Sequence, residues 1–146
     1  MKVPETLALI VLLCASGLAS AQEPPAPPAA GTAEALDRAS LSYSNKWRIT
    51  FNHEAETSGT LVFRMVMNNS EADPVVVAIP IEKGTGENAA ARQVKGALKS
   101  AFPRAFNVET DDGESVLVKL NFHEGQSSVV LLSSDVAGLK VKIRKE

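Results

Sequence analysis

Cysteine is all but missing. The 146 residues contain one, Cys14, and it lies in a stretch that reads as removable. Lys2 gives a short basic start, Leu7 to Leu18 is almost wholly apolar, and Ala19-Ser20-Ala21 offers small residues for cleavage before Gln22. That is the layout of a secretory signal peptide over residues 1–21. Its apolar run is shorter than the roughly 20 residues that a membrane span requires, so no transmembrane segment is expected in the mature chain. Lipidation at Cys14 would want a small residue just ahead of it, where Val11, Leu12 and Leu13 stand instead. Without residues 1–21 no cysteine remains, which excludes disulfides, thiolate catalysis and cysteine zinc sites together. An exported chain without disulfides must rely on its hydrophobic core, which a folded part of about 100 residues is large enough to build. The expected destination is the periplasm or the exterior, and a cysteine-free exported chain suits a bacterial periplasm.

Other scarcities narrow the function. The formal net charge is -2, whereas a general nucleic-acid binder presents a basic surface; nucleic acid is not an expected partner. Only two histidines occur. There is no Gly-x-Ser-x-Gly elbow, and the carboxylates lie mainly in turns, where raised pKa values are not expected. Gly84-Thr85-Gly86 precedes a helix as phosphate loops do, but it lacks the Gly-Lys-Ser/Thr ending and the three-glycine dinucleotide spacing. An enzyme is not the favoured reading, and no cofactor is expected.

What is present is a run of strands around one helix. Residues 22–45 begin Gln-Glu-Pro-Pro-Ala-Pro-Pro-Ala-Ala, a Pro/Ala-rich linker expected to be largely disordered. A single α+β domain is expected over 46–146. Trp47, Ile49 and Phe51 alternate with Arg48, Thr50 and Asn52, and Leu61, Phe63 and Met65 point one way with Val62, Arg64 and Val66 the other, which predicts two strands joined as a hairpin by a longish loop. Pro74 to Ile81 is a third strand, with Pro80 at an edge or near the exit because it has no N–H to donate. Thr85 is placed to cap a helix over about 86–102, ended by Pro103. That helix carries Ala90, Val94, Ala97, Leu98 and Ala101 on its apolar side, and Gly96 within it, which weakens the helix by about 1 kcal/mol relative to alanine, could serve close packing. Asp112-Gly113 is a hairpin signal. Val116, Val118 and Leu120 form the next inward-facing set, and Leu139, Val141 and Ile143 alternate with Lys140, Lys142 and Arg144 in the last strand. The expected architecture is a mostly antiparallel sheet of six or seven strands with the helix packed on one face.

Three groups of residues could carry chemistry. Lys140, Lys142, Arg144 and Lys145 form a basic stripe that could bind an anionic partner; equally, lysines on an edge strand discourage edge-to-edge aggregation. His53-Glu54 and His123-Glu124 are two His-Glu pairs at predicted strand ends, and together they could hold zinc or copper. They have no helical metalloprotease spacing, and polar strand ends are an ordinary place for such residues. Glu109, Asp111, Asp112 and Glu114 crowd four carboxylates around the hairpin glycine, without the alternate ligand spacing of a calcium loop. The leading expectation is a small exported, non-enzymatic binding or structural module that engages an envelope protein or an anionic envelope component. The alternative is a metal-binding protein or small metal-dependent hydrolase built on the two His-Glu pairs.

Overall fold

The structure, a computed structural model, describes residues 37–68, 71–121 and 125–146. In chain order these form strands β1 (Lys46–Asn52), β2 (Gly59–Met67) and β3 (Val75–Ile81), helix α1 (Glu87–Ala101), and strands β4 (Phe106–Asp111), β5 (Ser115–Leu120), β6 (Ser127–Ser134) and β7 (Lys140–Lys145). The fold is α+β, as the alternating strands and single alanine-rich helix predict. The strands divide into two antiparallel sheets, one ordered β4-β5-β1-β7 and one ordered β3-β2-β6.

Alternation decides which side of each strand is buried. In the four-stranded sheet Trp47, Ile49, Phe51, Phe106, Val108, Val116 and Val118 face inward, and in the three-stranded sheet Leu61, Phe63, Met65, Ile79, Ile81 and Val129 do so. Both sets belong to one core cluster, to which α1 adds Ala90, Ala91, Val94 and Leu98. Small alanines let the helix lie close against β4, β5, β1 and β3. Trp47 ties the sheets together, because its buried indole N–H donates to the Ser127 carbonyl at 2.9 Å. Ser44 joins the same place through two backbone hydrogen bonds with Ser127, each 2.9 Å. Ahead of it, the Arg38 guanidinium donates to the carbonyls of Met67 and Ala72.

Several local expectations change. β1 and β2 do not form a hairpin: they belong to different sheets. The intervening loop spends its backbone groups elsewhere. Ala55 N–H donates to Thr85, Gly84 N–H to Ala55, and Glu56 N–H to Ala137, so the loop is pinned between two other turns. The helix starts with Gly86 as its N-cap and with no side-chain cap bond, so Thr85 does not cap it. Gly96 is exposed, and a Cβ there would meet nothing within 4 Å; close packing does not require it. The Asp112-Gly113 turn behaves as expected, with both residues at positive φ (51° and 79°) and Asp111 paired to Ser115. Pro80 lies on an edge strand, because among the described residues β3 pairs on one side only, with β2.

Candidate functional site: the outer face of the four-stranded sheet

The basic stripe lies on β7, an edge strand. Its register against β1 sets Lys140 opposite Asn52, Lys142 opposite Thr50, and Arg144 opposite Arg48. These residues share the outer face, since their neighbours Val141 and Ile143 pair with the inward Phe51 and Ile49. Lys145 belongs to the other side: it pairs with Trp47, and its Nζ stands 6.0 Å from the centre of the indole ring, at the outer limit of a cation–π contact. The structure therefore brings three of the four stripe residues onto one surface and sends the fourth to the opposite one.

The same outer face holds a second set of cations, and these are paired. Arg48 Nε lies 2.6 Å from Glu146, and its Nη1 lies 2.7 Å from Asp111 and 3.7 Å from Asp112. Lys46 reaches Glu146 at 3.1 Å, and Lys119 reaches Glu109 at 2.9 Å, where Asn107 also donates to the carboxylate. Three of the carboxylates crowded around Gly113, Glu109, Asp111 and Asp112, thus have cationic partners on β1 and β5. Glu146 is held down to about 2, chiefly by its hydrogen bond with Arg48 and then by that with Lys46. Glu109 lies below the usual carboxylate range because of Lys119 first and Asn107 second. Arg48 is raised above its ordinary value, mainly by the bond to Glu146, with burial opposing and Asp111 adding to the rise. Like charges directly opposite across a strand pair repel. The carboxylates on Arg48 relieve that repulsion toward Arg144.

Lys140, Lys142 and Arg144 are exposed, and none forms an ion pair among the described residues. Charge neutralisation on this face stops at β1 and leaves the edge strand cationic. The periodicity of the last strand shows where its charges lie. The pairing of Arg48 was not legible, because its partners come from Asp111, Asp112 and Glu146, each remote from it in sequence.

The first His-Glu pair follows β1. His53 is exposed, sits at φ 67°, and lines a cleft of about 360 Å³ with Glu54, Glu56, Gly138 and Lys140. Glu54 also borders a cleft of about 370 Å³ at the start of α1, beside Gly86, Glu87, Asn88, Ala89 and Arg92. Among the described residues, no group of three or more histidine, cysteine or acidic side chains could hold a metal ion. His123 and Glu124 lie outside the described residues.

No protein-family model matches the chain, and no curated protein does. Among solved structures it is similar to the flagellar cap protein FliD of Escherichia coli, domains D1-D2-D3, with 13% identity, a TM-score of 0.33, and coverage of 75% of this chain and 42% of that one. The chain spans less than half of that neighbour, and a likeness of this size carries no argument about fold or function.

Proposed function

We propose that the protein is an exported, non-enzymatic binding or structural module whose contact surface is the outer face of β7, and that its partner is an anionic component of the envelope or an envelope protein presenting carboxylates. One observation carries this reading. Lys46, Arg48 and Lys119 each have a carboxylate partner on the same face, whereas Lys140, Lys142 and Arg144 have none among the described residues. An exposed row of cations on a rigid strand attracts anions without rearrangement. The leader-like residues 1–21 support export. No helix among the described residues is long and apolar enough to cross a membrane, which fits recognition from the aqueous side.

The test is co-sedimentation with phosphatidylcholine vesicles, with and without phosphatidylglycerol, alongside retention on envelope material. Each basic residue near an anionic surface contributes about 1 kcal/mol. Replacing Lys140, Lys142 and Arg144 with glutamine should therefore lower affinity about a hundred-fold and flatten its salt dependence. Binding unchanged in the triple variant would remove β7 from the function.

A further inference from the structure

Among the described residues the two sheets have four edge strands, β4, β7, β3 and β6, and three are guarded. β7 carries Lys140, Lys142 and Arg144, and β4 carries Glu109 and Asp111. β6 is occupied at its start by Ser44 and is bent by a register shift opposite Val62 and Phe63. Charges, prolines, bulges and covering segments are the usual means of preventing an edge from pairing with another chain. β3 is the least protected. Its sequence, Val-Val-Val-Ala-Ile-Pro-Ile, contains no charge, and its one such device is Pro80, next to its end; Val75 and Val76 are 40% and 54% exposed.

The backbone of β3 shows what its open edge offers. Thr60, opposite Pro80, directs its N–H to the Asp135 carboxylate and accepts from Asp135 N–H. Thr60 and Pro80 are therefore not a hydrogen-bonded pair, and bonding alternates along an antiparallel ladder. It follows that Val75, Val77, Ile79 and Ile81 bond to β2. The N–H groups of Val76 and Ala78, and the carbonyls of Val76, Ala78 and Pro80, point away from it.

We infer that β3 pairs with β3 of a second copy, antiparallel about a two-fold axis near Val77–Ala78, joining the three-stranded sheets of two molecules into one six-stranded sheet. The charges flanking the strand select this occupant and direction. Glu71 and Asp73 precede β3 and Lys83 follows it, all exposed. Antiparallel self-pairing brings Lys83 opposite Asp73 or Glu71 of the other copy, while Glu82 falls opposite Pro74 or Ala72 rather than a carboxylate. Pairing through Val76 and Ala78 makes four inter-chain hydrogen bonds in either register. Stacking the outer faces of two such sheets is disfavoured. It would set Arg64 against its own copy, and Arg64 Nε is already buried without a partner among the described residues.

Sedimentation velocity of the protein from ~1 to ~500 µM tests this. A contact of this size belongs with small, transient interfaces, with a dissociation constant on the order of tens of micromolar. The expected result is a concentration-dependent dimer that Ala78→Lys weakens at least ten-fold (on the order of 1.4 kcal/mol), with Val76→Lys doing the same should Ala78→Lys fail to fold. Lys83→Glu should weaken the dimer several-fold, and adding Glu71→Lys and Asp73→Lys to it should restore association. The glutamine triple variant of β7 should dimerise normally. A protein monomeric throughout, or a dimer indifferent to well-folded Ala78→Lys or Val76→Lys, would overturn the inference.

Discussion

Glycines separate cleanly into those the backbone needs and those it does not. Gly138 sits at φ 84°, and a Cβ there would lie 2.5 Å from the Glu54 carbonyl oxygen and 2.7 Å from Glu56 Cγ. Gly138→Ala should lose at least about 1–2 kcal/mol from the left-handed backbone alone, with the clash adding to it. Gly96 is the reverse case. It stands in the helix interior with open space around it, so Gly96→Ala should raise stability by about 0.5–1 kcal/mol. Chemical denaturation of the two variants checks both signs, and a destabilised Gly96→Ala would mean that the helix uses the glycine in a way its surroundings do not show. At the same scale, Glu146 makes stability depend on pH. Its folded carboxyl is depressed from 4.5 to about 2, so in that window the unfolded chain binds more protons than the folded one. The contribution is complete above about 4.5 and is lost as pH falls toward 2. Thermal unfolding of wild type and Glu146→Gln should differ near neutrality and converge at the acid end. Added salt should narrow the gap, because the pair is open to solvent.

At the scale of elements, the sequence makes the interior of each segment legible but leaves the partnerships between segments largely hidden. Period-two alternation identifies the inward residues of β1, β2, β5 and β7, because burial on one face of a strand must repeat every second residue. Helix α1 lies within a residue of its expected bounds at each end. The failures all concern what a segment touches. Residues 53–58 contain ordinary turn chemistry, and nothing in them announces that their hydrogen bonds go to Thr85 and Ala137 rather than across a hairpin. The cap was misplaced because Thr85 carries the right side chain, yet Gly86 occupies the N-cap position. The candidate site was half legible. Lys140, Lys142 and Arg144 follow from alternation, whereas Lys145 turning toward Trp47 and the neutralisation of Arg48 depend on strand order. The exposure of the β3 edge is also a property of strand order, since its apolar sequence alone would suit a central strand equally well.

For the whole molecule, the order in which strands join the two sheets matters more than either sheet alone. β1 belongs to the first sheet, β2 and β3 to the second, β4 and β5 to the first, β6 to the second and β7 to the first again. Neither sheet can be removed without cutting through the other. The two should melt as one cooperative unit, so chemical denaturation followed by tryptophan fluorescence and by far-ultraviolet circular dichroism should give coincident transitions. Separate transitions would show that the core cluster does not couple the sheets.

The interlacing also sets the chain's timetable. β1 is the first strand in sequence, but its neighbours β5 and β7 come much later. Trp47 needs β6 as well, since the indole proton is received by Ser127. A nascent or unfolded chain therefore carries Trp47, Ile49 and Phe51 unsheltered until nearly all of it is available. Pairings of such long sequence separation assemble in milliseconds to seconds. After dilution from denaturant, the single tryptophan should report the last step of folding, and its signal should lag behind helix formation. The residue that joins the finished sheets serves, during assembly, as the clock.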